Sequence, residues 1–460
     1  MYTKLLEQCG FEPDEIETQR PRIDRAFEIA GIDKGDVAQA EQRLTEYFDL
    51  EMVAVRKILG FYLKNFVDLV LLREEGKKIV YTVFPPVARL GLASVLVSDN
   101  VYCHAPEIII DVVMGQMFGK LNPILEAAEE SGLAPGTAQC SLNQARLGAI
   151  AKGIIPVPDI TLTSGFFCDQ SPKVDELLHE VYGVPNIFVD ACIDSAWEEF
   201  PEITRRRVEY YAKEQKRARH ELNEALGLNI TEEALFEAAK KYGMLWYGMQ
   251  QTWQMMKADP QPISSVDLGL FYWMIAIPDR NMLQDGMKVI GTLAREVKRK
   301  VDEGQGVVEK GAPRVAWPLY HATDPSLMHM VEGLGLSIPV VCFACITPRE
   351  MVKSKYETPE ERCAESELRW GVYHSSGGLL YRYREVIDLW GVDGFIQAIS
   401  FSCRASFSTL MHKRALERDL SIPILGLECD YYDTRDYSTQ ALRTRVETFA
   451  ELLRARKGAS

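Results

Sequence analysis

The sequence predicts an α/β protein of two Rossmann-like lobes with parallel sheets, plus an N-terminal helical segment and a helical linking section. Three observations carry this fold class. Short β-branched runs alternate with helical patterns in two separate stretches, the signature of βαβ units. The stretch between them keeps three- and four-residue apolar spacing and is poor in strand signals. The chain has 460 residues, too many for one typical domain of roughly 150 residues. The divisions expected are an N-terminal helical segment at 1–75, a first α/β lobe at 76–198, a helical section at 199–310 and a second lobe with a C-terminal helix at 311–460.

The elements justify themselves in order. Asp36–Asp49 and Leu50–Leu72 carry helical periodicity. The polar Glu75-Gly76-Lys77-Lys78 ends that segment, and Ile79–Phe84 follows as a strand stopped by Pro85-Pro86. Ile160–Thr163 reads as a strand, Lys173–Tyr182 as a helix and Asn186–Val189 as another strand. Residues 199–304 read as three or four helices with a break at Asp259-Pro260-Gln261-Pro262. Strand patterns resume at Arg314–Trp317, Ile338–Val341, Phe395–Ala398 and Ile422–Leu425, and a last helix covers Thr439–Ala455.

Composition narrows the function. Lys and Arg number 52 against 66 Asp and Glu, a net charge of −14. An acidic surface argues against nucleic-acid binding, which needs a basic footprint. The N-terminus lacks the apolar core of a signal peptide. The longest uncharged apolar run, about Leu268–Pro278, is far short of the roughly 20 residues that span a bilayer. A cytoplasmic protein is therefore expected, with no membrane partner. In a reducing compartment its 10 cysteines act as packing residues, metal ligands or catalytic thiols, not as a disulfide framework.

Three cysteines stand in comparable places. Cys168 follows the strand at 160–163 and Cys403 the strand at 395–398, so both lie just past a carboxyl strand end, where open α/β sheets bind ligands. Cys140 opens the helical run Ser141–Leu147, and a helix N-terminus favours thiolate over thiol. Three such thiolates can hold a [4Fe-4S] cluster by three irons, leaving the fourth open as a Lewis acid. The plain alternative is three unrelated buried cysteines, since their spacings match no compact ferredoxin motif. Cys342 and Cys345 form a C-x-x-C at the end of an apolar strand, a packing pair, a redox pair or half a metal site.

Several chemistries find no motif. H-E-x-x-H, G-x-S-x-G, Walker A and G-x-G-x-x-G are all absent, so any ATP use belongs to another protein. Ser375-Ser376-Gly377-Gly378 is a helix start or a phosphate cradle. Arg205–Arg207 and Lys213–Arg219 form a basic patch whose ordinary role is a solvated helix face. Met244–Trp253 and Phe271–Met274 are core packing or an apolar wall for an acyl group.

Taken together, several segments resemble the 2-hydroxyacyl-CoA dehydratase family, which includes the B and C subunits of ATP-dependent benzoyl-CoA reductase, with the larger subunits closest in layout. The segments are Cys140–Gly148, Pro158-Asp159 leading to Ser164–Asp169, Asp393-Gly394 to Cys403, Glu428–Arg435 and Thr444–Phe449. The resemblance implies a [4Fe-4S] cluster on Cys140, Cys168 and Cys403 between two α/β lobes. It implies a homologous second subunit and a separate ATP-dependent iron–sulfur activator that injects one electron. It further implies radical elimination of water from an (R)-2-hydroxyacyl-CoA through a ketyl, or reductive dearomatisation of a benzoyl thioester. A branch of the family holds a larger double-cubane cluster on additional cysteines, and Cys342 and Cys345 keep that branch open. A non-catalytic partner subunit is a further alternative. No catalytic acid or base maps onto a motif here.

Overall fold

In the computed structural model, the described residues are 2–82, 88–133, 140–165, 170–191, 202–274, 280–317, 324–342, 354–369, 376–400, 403, 406, 409–430, 432–436 and 438–458. Four helices come first: α1 (Thr3–Gln8), α2 (Pro13–Ile29), α3 (Lys34–Tyr47) and α4 (Val53–Leu71). Asp33 caps α3 with a capping box shared with Asp36, which fixes where that helix starts. In α4, 14 of 19 residues are buried, so this helix is apolar nearly all round and runs through the interior rather than along the surface. It packs on α2 and, further along the chain, on helices of the linking section.

The first sheet is built from β1 (Lys78–Thr82), β2 (Val101–His104), β3 (Ile160–Ser164) and β4 (Asn186–Val189). The connecting helices are α5 (Ala88–Val97), α6 (Pro106–Ile110) running into a π-helical turn at Asp111–Met117, α7 (Asn122–Glu130), α8 (Ser141–Ala151) and α9 (Ser171–Tyr182). The linking helices are α10 (Arg205–Leu226), α11 (Glu232–Met255), α12 (Ser265–Met274) and α13 (Met287–Asp302). The second sheet contains β5 (Arg314–Ala316), β6 (Ser337–Val340), β7 (Gly394–Ala398) and β8 (Ile424–Leu427). Around it lie α14 (Pro325–Gly333), α15 (Pro359–Leu368), α16 (Ser376–Trp390), α17 (Thr409–Leu420) and the terminal α18 (Thr439–Gly458).

Both sheets are wholly parallel, and their orders are the same: β2-β1-β3-β4 and β6-β5-β7-β8. The two-lobed α/β fold read from the sequence is thus the fold observed. In each lobe the chain order reverses between the first and third strands, the switch point where open α/β sheets form a ligand crevice. A second likeness is local. Asp159, just before β3, accepts the β1 amide of Ile79 at 2.7 Å and returns its own amide to Ile79 at 2.9 Å. Asp393, just before β7, does the same with Arg314 of β5, at 2.7 Å each way. One carboxylate therefore sets the register of the two central strands in each lobe.

Most strands match the sequence reading to within a residue at each described end, residues 83–84 of the first lying outside the described ones, and two differ by more. β2 has no counterpart in that reading, because Val101-Tyr102-Cys103-His104 is short and lacks a β-branched run. The last strand begins at Ile424, two residues later than expected, because Pro423 has no amide to donate to the ladder. Among the described residues, no helix is long and apolar enough to cross a membrane.

Candidate functional site

Cys140 occupies the N-cap of α8 in extended backbone (φ −63°, ψ 135°), and its carbonyl accepts the Gln144 amide at 3.0 Å. Helix α8 leads directly into β3 and packs against α7. In a parallel sheet such a helix runs against the strands, so its N-terminus lies at their carboxyl edge. Cys140 is half-buried there, at the positive end of the helix dipole. Gly148 allows the close α7–α8 approach: a Cβ at this position would stand 1.8 Å from the Ile124 carbonyl oxygen.

Beneath Cys140, α8 is anchored by a fully buried cation. Arg146 gives Nε to Glu107 Oε2 at 2.9 Å and Nη2 to Glu107 Oε1 at 2.7 Å. It gives Nη1 to Asp175 Oδ1 at 2.7 Å, and Nη2 to the Thr82 carbonyl at 3.3 Å. One guanidinium thus joins the end of β1, α6, α8 and α9. Burial pushes the Asp175 carboxyl up to about 7, with Arg146 pulling in the opposite direction.

Cys403 lies past β7, half-buried, with its amide donating to the Ser400 carbonyl at 3.1 Å. The turn is closed by Ser406, whose hydroxyl accepts the Ser400 amide and donates to the Ala398 carbonyl, each at 2.8 Å. Cys168 lies outside the described residues. On its far side, Ser171 donates to Asn143 Oδ1 of α8 at 2.9 Å.

Cys140 and Cys403 belong to different lobes, and one side chain connects their surroundings. The Asp430 carboxylate, past β8, accepts from the hydroxyl of Ser141 on Oδ1 and from the hydroxyl of Ser400 on Oδ2, the latter at 2.8 Å. Oδ1 also takes the amides of Tyr432 at 2.9 Å and Asp433 at 3.1 Å. The same turn is fastened to α7: Arg435 bonds Asp433 Oδ2 at 2.7 Å and Glu129 Oε1 at 2.6 Å. Sequence reasoning singled out neither Asp430 nor the buried Arg146–Glu107–Asp175 triad. Asp430 lay inside a segment that carried the family resemblance, and that was the available signal.

The remaining candidates resolve differently. Cys9, Cys103, Cys363 and Cys429 are buried, and burial pushes all four thiols up, the last three to about 12. They are protonated packing residues. Cys342 is buried beyond β6, and Cys345 lies outside the described residues. The basic patch is offset by its own helix, as Arg205 pairs with Glu209, and Arg217 with Glu214 and Glu221. Trp246, Met249 and Trp253 of α11 and Phe271–Met274 of α12 are core, whereas Met244 and Tyr247 are exposed. Ser376 starts α16, and Ser375 lies outside the described residues. Among the described residues, no three of His, Cys, Asp and Glu gather in a metal-holding group.

Comparison with known proteins gives the same direction throughout. Over 352 residues the chain is 23% identical to the (R)-phenyllactyl-CoA dehydratase alpha subunit of Clostridium sporogenes, covering 74% of this chain and 83% of that one. Over 419 residues it is 20% identical to the B subunit of benzoyl-CoA reductase from Thauera aromatica, covering 86% of this chain and 94% of that one. The family model for the D-component of 2-hydroxyglutaryl-CoA dehydratase matches residues 102–453, from β2 through most of α18, and the chain belongs to that family.

Proposed function

We propose that this chain is the iron–sulfur subunit of a 2-hydroxyacyl-CoA dehydratase that removes water from an (R)-2-hydroxyacyl-CoA by a radical route. The observation that carries the proposal is the meeting of Cys140 and Cys403 surroundings through Asp430, at the carboxyl edges of two like sheets. The chemistry of the proposed donors supports a [4Fe-4S] cluster, which thiolates hold. Cys140 and Cys403 are half-buried, whereas the protonated cysteines are sealed in the core. Cys168, outside the described residues, follows β3 as Cys403 follows β7 and is the third proposed ligand.

When bound, the cluster supplies one low-potential electron to the acyl thioester and an open iron that acts as a Lewis acid. The chain's own residues do the rest. The N-terminus of α8 directs amide dipoles at the cysteine end and so favours anionic ligands. The two lobes hold the acyl group at their carboxyl edges and exclude water from a reactive ketyl. A homologous second subunit and an ATP-dependent activator complete the system. The first accords with the names of both relatives, each a subunit of a larger enzyme, and the second with the absence of a Walker A motif from the sequence.

A second reading, a subunit of an ATP-dependent benzoyl-CoA-type reductase, is favoured by the greater span of the match to the reductase relative. One experiment separates the two. Anaerobic protein, its partner subunit and a reduced activator are given (R)-2-hydroxyacyl-CoA thioesters or benzoyl-CoA, and thioester products and ATP are followed by mass spectrometry. An enoyl-CoA formed with far less than one ATP per turnover supports the dehydratase. A dearomatised thioester with stoichiometric ATP supports the reductase. No conversion of either class counts against both.

A further inference from the structure

We propose that Asp430 is a positioning residue, a carboxylate bracket that holds the Cys140 and Cys403 thiols in register across the two lobes. The inference rests on the cluster reading and goes beyond it, because it concerns how ligands from separate lobes are kept at one spacing. A cluster of fixed size tolerates little drift between its ligands, yet these two belong to different sheets. Their carriers are the α8 cap and the turn after β7. Asp430 reaches both, by one hydroxyl each. Ser141 adjoins Cys140, and Ser400 accepts the Cys403 amide at 3.1 Å.

The geometry favours this role over a plain surface contact. Ser141 and Ser400 are buried at 3% and 2% exposure, so both hydroxyls need partners, and one carboxylate serves both. Asp430 is itself fixed by the amides of Tyr432 and Asp433. Charge-assisted hydrogen bonds of this kind are the strong ones. The neighbouring Arg435 pairs to Glu129 and Asp433 keep the whole turn against α7, next to α8. The bracket is therefore rigid at its base and points at two cysteine carriers.

The test is cross-linking of Cys140 to Cys403 by a short bismaleimide in chelator-stripped, reduced full-length protein, mapped by peptide mass spectrometry. Iron content and the electron paramagnetic resonance g values of the reduced cluster are read in parallel on unstripped protein. Asp430→Ala is expected to lower the cross-link yield at least fivefold and to broaden or shift the g values. Asp430→Asn can still bond both hydroxyls through its amide and is expected to stay within twofold of the parent. The doublet Ser141→Ala/Ser400→Ala leaves the carboxylate's backbone bonds intact and is expected to follow Asp430→Ala. It decides the matter if that variant does not fold. Parental cross-linking in the doublet, or in folded Asp430→Ala, overturns the bracket. If the parent binds no iron while cross-linking still follows Asp430, the cluster reading fails and the bracket stands. If iron is bound and cross-linking ignores Asp430, the bracket fails and the cluster reading stands.

Discussion

Replacing Arg146 by Met removes the cation that joins α8 to α6, α9 and the end of β1 while keeping most of its volume. The guanidinium is fully buried, and its loss abandons Glu107 and Asp175, which are 3% and 0% exposed. Three charge-assisted bonds between 2.7 and 2.9 Å disappear. Removing one partner of a buried ion pair costs about 3–5 kcal/mol, since the other charge is left uncompensated. The cost should depend on pH in a definite sense. Burial already pushes Asp175 to about 7 in the presence of Arg146. A carboxyl raised on folding contributes stability below its unfolded pKa and loses it as pH rises through the folded value. Without Arg146 that folded value climbs further, so Arg146→Met should cost more at pH 8 than at pH 5.5. The increment from Asp175 is bounded at about 1.4 kcal/mol per pH unit. The assay is urea unfolding followed by far-ultraviolet circular dichroism at both pH values, read as midpoint and slope. A loss below about 1 kcal/mol, the size of an exposed pair, or a loss equal at both pH values, would refute the reasoning.

Three more outcomes follow from the packing. Gly148→Ala places a Cβ 1.8 Å from the Ile124 carbonyl oxygen. It should force α7 and α8 apart at a cost of about 1–3 kcal/mol, checked by the same unfolding assay. Asp393→Ala strands the Arg314 amide at the head of β5 and should cost about 1–3 kcal/mol. Asp393→Asn should recover most of that midpoint shift. Burial also raises Asp267, Glu332 and Glu367 to about 7. The parent protein should therefore lose stability as pH rises from about 5 to 8, and a midpoint that climbs over this range would contradict it.

What was legible in the sequence was local. Ile160–Thr163 announces itself because a strand buried on both faces is apolar or β-branched throughout, and Asn186–Val189 because Ile187 and Val189 alternate with less buried neighbours on an edge strand. The alternation of such runs with helices marked out the lobes. The long N-terminal helix was legible as periodicity, although its near-total burial follows from what packs around it. Val101–His104 was missed because four mixed residues carry no period. The site was half legible. Cys140 and Cys403 could be placed by the elements they adjoin, since a helix start and a strand end are local events. Asp430 could not be tied to them, because Ser141 is 289 residues away in the chain, and no spacing rule reaches across two lobes. The Arg146 triad was invisible for a related reason: Arg, Glu and Asp read as surface residues until the fold buries them as a paired set.

Iron and acid-labile sulfide on anaerobically purified protein, measured beside single alanine variants of Cys140, Cys168 and Cys403, test the central claim most directly. The expected result is about four irons per chain, as for one cubane, lost or sharply reduced in each variant with the fold retained. Protein without iron, or iron indifferent to those three cysteines, would contradict the claim.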